Sequence, residues 1–471
     1  MMFDTLIVNG TIVTVDEQRR VLECGFIGII GGEIAAVGPM QELPDDVSCG
    51  QLLDAAGKAL LPGLIDTHGH AGHALTKTVA LGTNWTDVVE DIYYACTTPD
   101  FWYAEARLAA LEKIKFGTTT GVSMIGSVPR IGDLESIDAH FHGVMSSGMR
   151  SVSGIGSPNP PWPKKSRVWR GGSFTESTIN PGDAYDETEV VVRKWHNSNR
   201  GKTYAFAMPS RIGISEPNSF ELAVEQMKQM RRIAEEYGTR IHAHSYRGDI
   251  EFTLKHFPAG LGPDVSLAHC TGITMEEVKI LADTGTHVNT GPSTNAHISA
   301  RCPVVELLDA GANVVICTDG NAPDRTFDLF KDVRICQLLH RNHFNDASLL
   351  PAGTVLEMVT IRAAKAIGLD HLVGSLEVGK RADIIFIDVE QAHLAPFFLP
   401  VEKLVQAASG QDVTTVLIDG EVVMEDRRVA TMDEKGVLVQ AEREMNIALQ
   451  KSDNPHLLTY RKGLWGGTRY K

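Results

Sequence analysis

Four times along this chain, a short apolar run of strand length ends in a side chain able to bind a metal, and a helical pattern follows. The run Ala59–Ile65 leads to His68 and His70, and Thr239–Ile241 leads to His242 and His244. Val265–Ala268 leads to His269, and Val314–Cys317 leads to Asp319. Strand, then polar residue at its C-terminal end, then helix is how a TIM-type barrel gathers an active site on one rim. A single match of this kind is weak, whereas a series of them restricts the fold sharply. The first is the most specific. In a strand, residues i and i+2 point to one face, so the imidazoles of His68 and His70 project together. Two neutral imidazoles side by side make half of a zinc-type site, which needs only one or two more protein ligands to be catalytic.

The flanks of this middle region read differently. Residues 3–59 alternate short β-type segments with turn signals at Asn9-Gly10, Gly31-Gly32 and Asp45-Asp46, and the same texture returns from about Gly374 to Asp426. An α/β chain is therefore expected, with a distorted (β/α)8 TIM-type barrel over 60–371. A small composite β-sandwich domain is expected from 1–59 and 372–435, and a C-terminal tail from 436–471. Helical spacing of apolar residues is clear at Glu221–Tyr237 and Met275–Thr284, which places Met227 and Met230 on a core stripe. Residues 154–186 are dense in Pro, Gly and Trp with no steady period, the texture of a lid-like loop. Trp162 and Trp169, with Arg167 and Arg170, are placed either over an apolar substrate or at a subunit contact.

Composition sets limits. At 471 residues with 43% hydrophobic, the chain can bury a large core. A formal charge of -15 with no compensating basic stripe argues against a nucleic-acid or anionic-membrane partner. Seven cysteines without a CxxC pair imply reduced thiols and a cytoplasmic setting. The opening MMFDTLIVNG has no basic n-region or unbroken apolar h-region, so no signal peptide is read there. No uncharged apolar stretch reaches the roughly 20 residues of a membrane span.

Longer motifs then carry a resemblance. VNGTIVTVD and IGIIGGEIAAVG near the start, LPGLIDTHGH, LEKIKFGTTT at 111–120, GPSTNAHIS at 291–299 and NVVICTDG at 313–320 resemble the amidohydrolase superfamily. So do TIRAAKAIGLD, VGSLEVGKRADIIFID and VTTVLIDGEVVMED. The branch resembled is that of S-adenosylhomocysteine deaminases, guanine deaminases and chlorotriazine hydrolases, with the thiocarbamate and phenylurea hydrolases nearby. Almost the whole chain is covered.

The resemblance implies that His68, His70, His244 and Asp319 hold one divalent metal, zinc foremost, with cobalt, iron or manganese also suited to such a ligand set. The ion would bring its bound water toward a pKa of about 7, so that hydroxide is available at neutral pH. Asp319 would accept the proton during attack on an sp² carbon, and His269 would hydrogen-bond the developing oxyanion. His242 is implied to be a neighbour, not a ligand. Binuclear relatives place a bridging lysine or glutamate at the end of the fourth strand. Here YAFAMPSRIG offers Ser210 and Arg211 instead, which favours a single ion.

One departure bears on the reaction. The deaminases and triazine hydrolases of this branch carry a glutamate three residues after the third histidine, and it protonates the leaving nitrogen. Here Ser245, Tyr246 and Arg247 follow His244. Arginine stays protonated and cannot act as a general acid. The expected substrate is therefore an amide, urea, carbamate or thiocarbamate carbonyl, with Arg247 holding a carboxylate, carbonyl or departing anion. The alternative is a ring deaminase or dechlorinase using another acid. Trp85, Tyr93 or the Trp162 loop are expected to line an apolar pocket, and Asn295 to bind substrate or steady a turn. The partners expected are a small-molecule substrate and further copies of the chain, as a homo-dimer or homo-tetramer.

Overall fold

The computed structural model describes residues 2–80, 85–126, 130–213, 220–298, 300–452, 454, 457–458 and 465–466. Its centre is a parallel sheet of eight successive strands. They are Leu64–Asp66 (β1), Thr118–Ile125 (β2), Arg150–Ile155 (β3), Thr203–Ala207 (β4), Ile241–Tyr246 (β5), Val265–Thr271 (β6), His287–Thr290 (β7) and Val314–Ile316 (β8). Helices run between most of these strands, and the sheet curls into a nearly closed TIM-type barrel. Just past its first and last strands the Asp319 amide donates to the His68 carbonyl at 3.1 Å. The short strand His70–Ala71 continues the line of β1 against β2.

The barrel sequences explain themselves by burial. β3, β4 and β6 are buried at every position, because helices cover one side and packed side chains fill the other. Such strands read as runs of apolar and small residues, without alternation. Ile65, Val122, Val152, Phe206 and Val315 meet in a single cluster with Ala363 and Ile367, which follow the barrel in sequence. Gly63, just before β1, has no alternative residue. A Cβ there would overlap the Thr119 side chain.

The two ends of the chain build one composite β unit of nine strands. Its middle strand Lys58–Pro62 lies between Met2–Val13 and Ile384–Asp388, so it straddles the boundary expected at residue 59. The sheet carries an apolar cluster around Ile7, Ile12, Ile27 and Leu60, and a separate one around Phe3, Leu6, Val8 and Phe26.

Two stretches expected to be irregular are structured. The chain from 436 continues a helix, Glu434–Lys451, which packs on Pro99–Lys115. It buries Val437, Ala441, Met445 and Ala448, with Lys115 and Glu434 paired at 2.8 Å. Within 154–186, Lys164–Arg170 and Ser173–Ile179 form an antiparallel hairpin about Gly171-Gly172. Both glycines have positive φ (54° and 86°), as a tight hairpin turn requires. The hairpin is docked: the Trp169 indole N–H donates to the Ala95 carbonyl at 2.7 Å, and Arg170 pairs with Asp133 at 2.6 Å. Trp169 and Arg170 are thus taken up in holding the hairpin in place, and the Arg167 guanidinium lies 4.7 Å over the Phe174 ring of the same hairpin. No described helix is long and apolar enough to cross a membrane.

Candidate active site

The C-terminal ends of β1, β5 and β8 bring His68, His70, His244 and Asp319 together, all buried, with their ligand atoms within 4.8 Å of one another. His68 Nε2 lies 2.9 Å and His70 Nε2 3.3 Å from Asp319 Oδ1, and the Nε2 atoms of His70 and His244 are 3.2 Å apart. The outward nitrogens are all occupied. His70 Nδ1 faces the Gly126 carbonyl at 2.8 Å, and His244 Nδ1 faces the Ser210 carbonyl. His68 Nδ1 meets His242 Nε2 at 2.7 Å, and His242 Nδ1 meets Ser266 Oγ at 2.7 Å. His242 therefore orients a metal-capable histidine from behind, as such sites require.

These contacts fix the protonation pattern. A carbonyl accepts only, so His70 and His244 donate through Nδ1 and turn their Nε2 lone pairs toward each other. Two lone pairs at 3.2 Å repel unless a cation lies between the rings. Burial, and then the neighbouring His68 and His70, hold the His244 imidazole well below its usual pKa. Burial likewise lowers His68 and pushes His269 down to about 4. For Asp319 burial alone would raise the pKa, but the neighbouring His269, His68 and His70 bring it well below the carboxylate range. Neutral imidazoles and an ionised carboxylate are the donor set a divalent ion needs. The residues fit the group that the sequence implies.

The aromatic rings continue outward from this cluster. His269 is stacked on His244 at 5.1 Å and Tyr246 on His269 at 5.6 Å; on the other side His73 is stacked on His70 at 4.9 Å. Trp85 closes that end, edge-on to His73 at 4.9 Å. A β-bulge between β5 and β6 aims His269 into this row: Ser245 pairs with His269, but Tyr246 pairs with Thr271. The bulge leaves His269 (φ 71°) and Cys270 (φ 44°) in left-handed backbone, and Asp319 (φ 58°) is left-handed too. Strain of about 1–3 kcal/mol at such residues persists only where the surroundings enforce it. Gly320 follows Asp319 at φ 92°, and any side chain there would strike the His73 ring.

Other expected residues lie elsewhere. Arg247 is exposed, and Tyr246 occupies the site side of the β5 end. The period-two rule puts residue 246 on the face of His244 and turns 247 away. Asn295 is buried and donates to Thr290 Oγ1 at 3.0 Å, whereas its neighbour Thr294 donates to Asp319 Oδ2 at 2.8 Å. Tyr93 is a core residue, its hydroxyl 2.9 Å from Thr76 Oγ1. Trp162 is half-buried against the main core, with the Lys164 ammonium 5.9 Å from its ring centroid. Ser210 and Arg211 end the fourth-strand segment with no lysine, and Arg211 forms a two-pronged pair with Asp249 at 2.7 and 2.8 Å. Behind the site, Lys113 and Asp66 form a buried ion pair at 3.0 Å, and Asp66 also accepts from the Thr318 amide (3.0 Å) and hydroxyl (2.8 Å). His73, Thr294 and the Lys113–Asp66 pair were not foreseen. Of these only His73, a third histidine in HGHAGH, left a visible signal in the sequence.

Comparison with known proteins agrees with this geometry. The amidohydrolase family model matches residues 59–423. A 5-methylthioadenosine/S-adenosylhomocysteine deaminase of Syntrophobacter fumaroxidans is 32% identical, covering 91% of this chain and 95% of its own. A 5'-deoxyadenosine deaminase of Methanosarcina mazei is 28% identical over 94% of this chain and 98% of its own. Among solved structures, a zinc-bound adenosine deaminase from Xanthomonas campestris superposes with a TM-score of 0.81 at 21% identity, covering 95% of this chain and 99% of its own. The zinc-complexed atrazine chlorohydrolase of Arthrobacter aurescens TC1 gives 0.79 at 22%, covering 94% and 100%.

Proposed function

This chain belongs to the amidohydrolase family and is a hydrolase; from that premise we propose that it cleaves an amide, urea, carbamate or thiocarbamate at its carbonyl carbon. His68, His70, His244 and Asp319 hold one divalent ion, zinc before cobalt, iron or manganese. Bound there, the ion supplies Lewis-acid chemistry and lowers the pKa of its water, making a nucleophile available at neutral pH. Asp319 Oδ1 takes up the proton released in the attack, while Thr294 steadies Oδ2 from the other side. His269, neutral at working pH, donates one N–H to the oxygen that gains charge on the substrate.

The observation that carries the reading is the end of β5. Among the described residues, Asp319 is the one carboxylate in the metal-capable cluster. Asp249 is paired with Arg211, and Asp66 with Lys113. A ring amine leaves as ammonia only once protonated, and no second carboxylate stands ready among these residues to do so. A thiolate leaves without a proton, and an amine expelled from the carbonyl carbon takes back the one that Asp319 accepted in the attack. The named activities of the 28–32% identical relatives favour a second reading, ring deamination with a different acid.

Hydrolysis by metal-reconstituted protein separates the two. Aminopurine nucleosides are assayed for ammonia, beside aryl ureas, anilides, carbamates and thiocarbamates assayed for released amine or thiol. Turnover of carbonyl substrates is expected. Ammonia from the nucleosides, with none of the carbonyl compounds cleaved, would establish deamination instead.

A further inference from the structure

We infer that Tyr246 is a catalytic residue, its ring forming one side of the reaction slot and its hydroxyl donating a hydrogen bond to the departing heteroatom of the substrate. This rests on the hydrolytic reading above. Tyr246 is the last residue of β5 and shares the face of His244, two positions earlier. Its ring lies 5.6 Å from that of His269 and within 14° of parallel, so it borders the place where His269 meets the substrate oxygen.

The ring is also held from its surroundings. The Arg211 guanidinium carbon lies 5.0 Å from the Tyr246 ring centroid. Asp249, gripped by Arg211, accepts the Tyr246 amide at 2.8 Å. Backbone and ring are thus fixed together, leaving the hydroxyl as the group free to act. It has no hydrogen-bond partner among the described residues. A phenol donor held at the rim by stacking and a guanidinium, with nothing to bond, is suited to an acceptor that only the substrate brings. It stands one residue before the position where the related deaminases carry their glutamate, and it is the residue that the strand turns inward.

The role is donation, with the proton kept on the phenol oxygen, so its effect grows with the negative charge on the departing atom. The test compares wild type with Tyr246→Phe, which keeps the stacked ring and removes the oxygen. The substrates are a series of carbamates and thiocarbamates whose leaving groups run from aryl thiolate to alkylamine. We expect kcat to fall by about tenfold to a hundredfold for the alkylamine members. The aryl thiolates should lose less than threefold, with KM little changed throughout. A residue serving only to pack would lower all members alike or none.

Equal kcat for wild type and Tyr246→Phe across the series would overturn the assignment, as would a uniform loss. If the wild type releases ammonia from ring amines and cleaves no carbonyl compound, the hydrolytic reading falls by itself. Tyr246 is then judged by the same variant on ammonia release, where an unchanged kcat removes it. A wild type inactive on both series overturns both. Thermal melts of the two proteins are compared first; should Tyr246→Phe melt well below wild type, both proteins are assayed well below the variant's midpoint, where the same leaving-group dependence of the loss is expected and its absence overturns the assignment.

Discussion

Removing the Lys113 ammonium should damage both the fold and the metal site, though Lys113 touches none of the four metal-capable residues. Lys113 and Asp66 are 2% and 0% exposed and 3.0 Å apart. Asp66 also binds Thr318 through the amide and hydroxyl. Since Asp66 is two residues from His68 and Thr318 adjoins Asp319, this junction sets how far apart the two metal-capable groups stand. In Lys113→Met the carboxylate keeps its two Thr318 donors but loses its counter-charge in a dry environment. Breaking a buried pair from one side costs about 3–5 kcal/mol. Asp66→Asn in the same background removes the stranded charge and still accepts from the Thr318 amide, so most of that loss should return. Urea denaturation of wild type, both single variants and the double variant gives the coupling, and metal content after dialysis reports the site. We expect Lys113→Met to lose at least 3 kcal/mol and to retain less metal, and the double variant to recover about 2 kcal/mol or more. A Lys113→Met protein within 1 kcal/mol of wild type, or a double variant no better than the single one, would refute this account.

Two further outcomes follow from buried groups near the site. Thr294→Val removes the hydroxyl on Asp319 Oδ2 at little steric cost, and kcat should fall about tenfold with stability changed by no more than about 1.5 kcal/mol; an unchanged kcat in steady-state assays would dismiss the contact. Asp332 is buried, accepts from Ser293, and is pushed up to about 7 by burial. A raised acid pKa contributes stability that is complete below the unfolded value near 4 and lost as pH rises through 7. Asp332→Asn should therefore match wild type at about pH 4 and below and exceed it by up to about 4 kcal/mol at pH 8 or above, and melts with the same pH profile for both proteins would contradict it.

How much of this was legible in the sequence depends on the kind of feature. The barrel and its four metal-capable residues were, because each lies where an apolar strand ends and period two fixes which side chains share a face. The same period would have selected Tyr246 over Arg247, but position relative to the related glutamate pointed to 247. Thr294 and Asn295 were not separable. They are adjacent in a short helix, Pro292–His297, and which one reaches Asp319 depends on how that helix is seated. The Lys113–Asp66 pair joins positions far apart in sequence, and nothing local marks either as buried. The hairpin at 164–179 did have a signal, Gly171-Gly172 between segments of strand length, but the surrounding prolines and tryptophans masked it.

The nine-stranded sheet has a consequence for how the chain comes to be folded. Its middle strand, Lys58–Pro62, pairs along its full length with Ile384–Asp388. During synthesis the segment up to Pro62 therefore emerges with one apolar edge open, and it stays open until Ile384–Asp388 has followed. The barrel, assembled from neighbours in sequence, can close before that edge is covered. An open edge is a template for another chain, so the segment ending in Lys58–Pro62 is the place where newly made protein should first require a chaperone, and a substitution that disrupts Ile384–Asp388 should appear as aggregation through a strand made more than three hundred residues earlier.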